Sequence, residues 1–245
     1  MDSEFKGKRV LVTGGARGVG EAIVRVFVDL GATVFALDRE VELLSKLKES
    51  LPQIQTVAVD LRDWDATQKA VREIAPIHHL VNNAGVAGVH TLLTVGKELV
   101  DTILDINFKQ VINVSQTVVN GLIETKAGGG TIVNISSVLA LKPFQGSSMY
   151  CCSKAALSML TKCQAVEFGP HDVRVNSIRP TLMATGLVKN PEIFQTLFDA
   201  VQKKQIIKKP LETQEVAQLV VFLSSSQAGM ITGEEIAIDA GIHLT

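Results

Sequence analysis

Polar aromatic residues are nearly missing from this 245-residue chain, which holds nine Phe but one Trp, Trp64, and one Tyr, Tyr150. Cysteine is scarce as well. Cys151, Cys152 and Cys163 form an odd set without metal-ligand spacing, so they read as reduced thiols rather than a disulfide framework. The five histidines contain no His-x-x-x-His pair, and adjacent His78 and His79 would point opposite ways on a strand. No metal is expected. Neither sign of charge is in excess, with 24 Lys+Arg against 25 Asp+Glu, so the basic stripe that a nucleic-acid partner requires is absent. No apolar run approaches the roughly 18 residues of a membrane span. The polar start over residues 1–9 is no secretion signal, and Asp2 excludes N-myristoylation. The expectation is a soluble cytoplasmic protein with neither membrane nor nucleic acid as partner.

What is present is apolar mass, 46% of the chain, enough to build a core and to exclude disorder. Short β-branched runs at 9–13, 33–37, 55–60, 79–82, 131–136, 174–178 and 235–238 show little polar alternation, as parallel strands covered on both faces should. Segments of helical period lie between them, at 18–30, 41–50, 64–74, 97–125, 149–168, 191–203 and 213–223. This alternation predicts an α/β fold: a single-domain, Rossmann-type, doubly wound parallel sheet of about seven strands with helices on both faces. No linker or repeat divides the chain, so residues 1–245 are read as one dinucleotide-binding and catalytic domain.

The first strand runs into Thr13-Gly14-Gly15-Ala16-Arg17-Gly18-Val19-Gly20, and an apolar helix follows at once. Glycines here allow a tight turn, let a pyrophosphate approach the backbone and let the helix pack on the sheet. The helix N-terminus then offers free N–H groups to phosphates. A plain turn is the bland alternative, and the strand–loop–helix setting disfavours it. Asp38 ends the second strand, where a carboxylate hydrogen-bonds a ribose diol and repels a 2′-phosphate. That favours NAD(H). Arg17 and Arg39 can both reach a 2′-phosphate, which keeps NADP(H) open as the alternative.

Tyr150 and Lys154 are four residues apart at the start of a helix, hence on one face. A neighbouring ammonium favours the phenolate, so the spacing predicts a tyrosine able to act as acid or base near neutrality. Ser137 closes a strand at the carboxyl edge of the sheet and could donate to a substrate oxygen. Asn107 sits in an apolar helical run, where its amide needs partners, and a water relay is one way to supply them. Each alone also fits an ordinary structural role: a helix tyrosine, a cap, a satisfied core amide.

Together the residues resemble the short-chain dehydrogenase/reductase family in order and spacing. The matching set is the Thr13–Gly20 loop, Asp60, Asn82-Asn83-Ala84-Gly85, Asn107, Ser137 and Tyr150-x3-Lys154, from about residue 7 to 241. The resemblance implies Tyr150 as general acid/base, Ser137 as the group orienting the carbonyl or alcohol, Lys154 as ribose holder and Asn107 as anchor of a water relay. It implies Asp60 and Leu61 at the adenine, and Asn83, Ala84 and Gly85 supporting the cofactor. Val175 to Pro180 and Thr185 resemble the nicotinamide-binding stretch, with Ile178 and Thr185 the implied carboxamide contacts. A nearer resemblance is to the dicarbonyl/L-xylulose reductase branch, the tetrameric carbonyl reductases, through Asp60-Leu61-x-Asp63-Trp64-x-Ala66-Thr67 and Pro180-Thr181. That branch implies a homotetramer and prefers NADPH; Asp38 departs from it.

The expected function is hydride transfer between nicotinamide and a secondary alcohol, ketone or dicarbonyl. Val138 to Phe144 is mostly apolar, which suits such a substrate better than a polyol, whose hydroxyls would be buried unpaired. Val138 and Phe144, with Ser137 and Tyr150, are the expected substrate contacts, and segment 182–209 is expected to close over them. The alternatives are an L-xylulose or sugar reductase using NADPH, a lyase or epimerase on the same fold, and a nucleotide-binding regulator without turnover.

Overall fold

The computed structural model describes residues 4–187 and 190–245. Val188 and Lys189, within the segment expected to close over substrate, lie outside the described residues, as do residues 1–3 of the expected domain. Seven strands, β1 (Arg9–Thr13), β2 (Thr33–Asp38), β3 (Gln55–Ala58), β4 (His79–Asn82), β5 (Gly130–Ile135), β6 (Val173–Pro180) and β7 (Glu235–Ile238), pair in the order β3-β2-β1-β4-β5-β6-β7. Every pairing is parallel. The helices are α1 (Gly18–Asp29), α2 (Val41–Ser50), α3 (Trp64–Glu73), α4 (Lys97–Leu104), α5 (Gln110–Thr125), α6 (Ser148–Phe168), α7 (Pro191–Lys204) and α8 (Thr213–Ser224).

Strand pleating explains why the strands are apolar throughout. Val10 and Val12 of β1 join a core with α1 and α8 residues such as Phe27 and Val220, whereas Leu11 between them joins Leu80, Val114 and Ile132 on the other face. Both faces are covered, as expected of a parallel sheet.

Most boundaries fall within one residue of expectation, and three places differ by more. β3 stops at Ala58 rather than at residue 60, because the backbone turns there: Arg62 N–H donates to Asp60 Oδ1 and Asp63 Oδ1 accepts from Ala66 N–H to cap α3. β6 runs on to Pro180, since Arg179 and Pro180 find register partners in Ala237 and Ile238. The helical run 97–125 is not one α-helix. A π-turn over Asp105–Lys109 separates α4 from α5, and Asn107 lies inside it.

The chain reverses strand order between β1 and β4. A cavity of about 410 Å³ opens there, at the carboxyl ends of the strands, where doubly wound sheets bind ligands.

Candidate active site

Sequence dictates the shape of the first loop. Gly14 and Gly18 adopt φ of +63° and +59°, the left-handed region that other residues avoid. A Cβ on Gly20 would stand 2.0 Å from the Gly14 carbonyl oxygen, so α1 packs against the loop too closely for any side chain. The loop is pinned from the far side by Asn83, whose Nδ2 donates to the carbonyls of Thr13 and Gly14 at 3.0 Å each. Thr13 Oγ1 accepts from the Asn83 and Ala84 N–H groups. Asn83 and Ala84 therefore hold the loop, and with Gly85 they line the cavity.

The start of α1 carries no side-chain cap, and Gly14, Arg17, Gly18 and Val19 line the cavity there. An uncapped helix start behind a loop with no room for Cβ atoms suits a pyrophosphate, so the residues present fit a dinucleotide. Thr185 crosses over the loop, 3.2 Å from where a Gly18 Cβ would be. At the ends of β2 and β3, Asp38 Oδ2 accepts from Ala16 N–H at 3.3 Å and its Oδ1 from Glu40 N–H at 3.2 Å. Arg39 turns to Glu40, 3.4 Å away. Asp60 is held by the Arg62 guanidinium, which keeps its carboxyl below the usual carboxylate range despite partial burial. Arg17, Arg39, Asp60, Leu61 and Pro180 all line the cavity.

Across the cavity, β5 ends at Ile135 and a short 3-10 turn, Val138–Ala140, follows Ser137, whose Oγ accepts from Leu139 N–H at 3.1 Å. Ser137, Val138, Phe144, Tyr150 and Lys154 converge on this wall. Tyr150 is buried, and burial pushes its phenol up to about 12, with the Ser137 hydroxyl pulling the other way. Lys154 is buried too, which pushes its ammonium down to about 8. Its Nζ donates to the Ile135 carbonyl at 2.7 Å and stands 5.8 Å from the Tyr150 ring centroid. The two side chains share one face of α6, as the four-residue spacing predicts. Burial is the larger influence on the phenol, and it favours the neutral form.

Asn107 is buried inside the π-turn. Its Oδ1 accepts from Val86 N–H at 2.8 Å, and its Nδ2 donates to the Val86 carbonyl at 2.9 Å and to Ser153 Oγ at 3.0 Å. Ser153 in turn donates to the Tyr150 carbonyl. The amide's protein partners are Val86 and Ser153, and the π-turn aims it at them. Its side chain braces the loop after β4 against the helix bearing Tyr150 and Lys154.

Sequence reading missed part of the wall. The expected closing segment 182–209 does contribute Leu197, Ala200, Val201 and Lys204, one stripe of α7 on the cavity, but only Leu197 of these was singled out in the sequence. Lys142 and His243 also line it, brought together by Lys142 Nζ donating to the Ile242 carbonyl at 3.3 Å. Nothing local in sequence links positions so far apart.

Comparison with known proteins agrees with this geometry. A family model described as enoyl-(acyl carrier protein) reductase matches residues 14–243. L-xylulose reductase of Mus musculus is 37% identical over 249 residues, covering 100% of both chains. D-erythrulose reductase of Gallus gallus is 36% identical, covering 98% of this chain and 97% of its own. Among solved structures, 4-hydroxyisoleucine dehydrogenase complexed with NADH superposes with a TM-score of 0.91 at 28% identity, covering 98% of this chain and 100% of that one.

Proposed function

The chain belongs to the short-chain dehydrogenase/reductase family, near its L-xylulose reductase branch, and on that premise we propose that Tyr150 exchanges the proton when a ketone or dicarbonyl is reduced or a secondary alcohol oxidised. The protein is a nicotinamide-dependent oxidoreductase acting on a small molecule. When bound, the nicotinamide cofactor supplies or accepts the hydride. One observation carries the assignment of roles: Ser137, Tyr150 and Lys154 line the same cavity as the uncapped glycine loop.

In reduction, the substrate carbonyl oxygen accepts from Ser137 and Tyr150, and the Tyr150 phenol donates its proton as the alkoxide forms. A phenol pushed up to about 12 is protonated at neutral pH and ready for that step. In oxidation Tyr150 must first lose its proton. Lys154 and Asn107 hold the constellation, the lysine at the Ile135 carbonyl beside the ribose position and the amide between Val86 and Ser153. Thr185, which lines the cavity, faces the carboxamide, whereas Ile178, expected beside it, is packed in the core away from the cavity; segment 182–209 covers the substrate through Leu197, Ala200 and Val201 of α7. Residues 1–245 act as one domain in this reading.

For the cofactor, Asp38 favours NAD(H). Its carboxylate is fixed by two backbone N–H groups at the cavity wall. A 2′-phosphate at ~4 Å would meet roughly 4 kcal/mol of repulsion per unit charge at an effective dielectric near 20, less with solvent screening. NADP(H) is the alternative, through Arg17 and Arg39. A second reading, an L-xylulose or sugar reductase using NADPH, is favoured by the relatives' names. The apolar lining of Val138, Leu139, Pro143 and Phe144 speaks for a less hydroxylated substrate. We also read the protein as a cytoplasmic homotetramer.

A panel of ketones, dicarbonyls and ketoses followed at 340 nm with NADH and NADPH separates these readings. The expected result is turnover of an apolar ketone or dicarbonyl with higher kcat/KM for NADH. Asp38→Ser should shift preference toward NADPH by about tenfold or more, the value of one charge-assisted contact. Unchanged preference would remove the ribose assignment.

A further inference from the structure

The helix that carries Tyr150 and Lys154 starts without help from its own N-cap. Ser147, which precedes α6, makes no side-chain hydrogen bond to the helix, although the N–H groups of a first turn have no partner within the helix itself. A distant residue takes that place. His90, in the loop after β4, accepts from Met149 N–H on Nε2 at 3.4 Å, and Ser148 Oγ stands 3.1 Å from the same nitrogen. The His90 N–H donates to the Gly146 carbonyl at 2.9 Å, which ties its backbone to the approach to α6 as well.

The tautomer follows from these contacts. A backbone N–H can only donate, so Nε2 carries no hydrogen and the ring proton sits on Nδ1. Nδ1 is buried without a protein hydrogen-bond partner. An unpaired buried donor costs stability, so the bonds at Nε2 and at the main chain are the ones that fix the residue. The other end of the same loop is held by Asn107, which exchanges two hydrogen bonds with Val86. Residues 86–90 thus form a strut between the π-turn and the start of α6.

Resting on the oxidoreductase reading above, we propose that His90 is a positioning residue for proton transfer: as the cap of α6 it fixes the first turn, and with it the Tyr150 phenol, against the substrate oxygen. Tyr150 follows Met149 directly and lies in that first turn. A helix end without a cap frays, and misplacing a reacting group by about 1 Å can cost roughly a hundredfold in rate. His90 does not line the cavity, so it acts through Tyr150.

The test is a double-mutant cycle on the NADH-loaded protein. It is read as single-turnover reduction at 340 nm of the ketone that the panel above turns over fastest, with NADH affinity measured by calorimetry. His90→Leu should slow the step by about tenfold or more, while KM and NADH affinity stay within about threefold. His90→Gln, whose amide oxygen can accept from Met149 N–H, should keep the rate within about threefold of the unaltered protein. In a Tyr150→Phe background, His90→Leu should cost less than about twofold, because the group it positions is gone. An undiminished rate in His90→Leu overturns the proposal, as does an equal loss in both backgrounds or a His90→Gln protein as slow as His90→Leu. If His90→Leu fails to fold, amide exchange in the unaltered protein decides: Met149 N–H should exchange more slowly than the neighbouring Ser148 N–H, and equal rates mean that no cap is made. Absence of ketone turnover by the unaltered protein defeats the oxidoreductase reading and this role together, whereas turnover that His90→Leu leaves unchanged defeats only the role.

Discussion

At the scale of single residues, burial matters as much as pairing. Tyr150 and Lys154 sit where the four-residue spacing places them, yet each is pushed toward its neutral form, the phenol up and the ammonium down. The two directions of reaction should consequently differ in pH dependence. Reduction starts from the phenol, so its kcat/KM should not rise between about pH 7 and 9, and a fall there would report Lys154, pushed down to about 8, rather than Tyr150. Oxidation needs the phenolate, a fraction growing about tenfold per pH unit in that range. Initial rates in both directions across this range check the sign; parallel profiles would mean that Tyr150 does not rest as the phenol. Composition had singled out the lone tyrosine and its lysine. The direction of their shifts depends on how deeply they are enclosed, which spacing does not encode.

At the scale of elements, the glycine loop and the π-turn set the site. A methyl group on Gly20 would strike the Gly14 carbonyl at 2.0 Å, a backbone atom that cannot swing aside. Gly20→Ala should accordingly lower Tm, at roughly 2–4 °C per kcal/mol of overpacking for a chain of this size. It should also weaken NADH-induced stabilisation by displacing α1 from the loop. Gly128→Ala is the control for a glycine with open space around it but a φ of +86°, where the cost is backbone strain alone. Thermal melts with and without NADH distinguish the two; a Gly20→Ala protein that keeps the full NADH shift would contradict the tight-cradle account. The strands were legible in sequence because both sheet faces need apolar residues, which leaves continuous Val, Ile and Leu runs. The π-turn was not, since widening a helix at Asp105–Lys109 leaves the apolar pattern of 97–125 intact. Asn107 was therefore found as a residue out of place, but its partners Val86 and Ser153 were not.

At the scale of the whole molecule, seven parallel strands bring the glycine loop at the β1–β3 side and the wall bearing Ser137 and Tyr150 to one cavity. Lys142 and His243 meet on that wall from stretches a hundred residues apart, which explains why sequence reading stopped short of them. Apolar surface remains outside. Met159 and Val166, two turns apart on α6, are 60% and 77% exposed, and Ile123 of α5 is half-exposed. Burying such a face in a symmetric interface accords with the tetramer read above. Sedimentation should give about four times the 26.3 kDa chain mass, and Val166→Glu should lower that mass. A monomer in both proteins would remove the assembly from the account. The central claim is that this one cavity both holds the nicotinamide cofactor and transfers the substrate proton through Tyr150. Tyr150→Phe tests it most directly, with single-turnover reduction of the best ketone at 340 nm set beside calorimetric NADH affinity. The account predicts a rate lower by about 10²–10⁴-fold, the usual contribution of a positioned acid, with NADH affinity unchanged within a few-fold; a variant that reduces ketone at the original rate would contradict it.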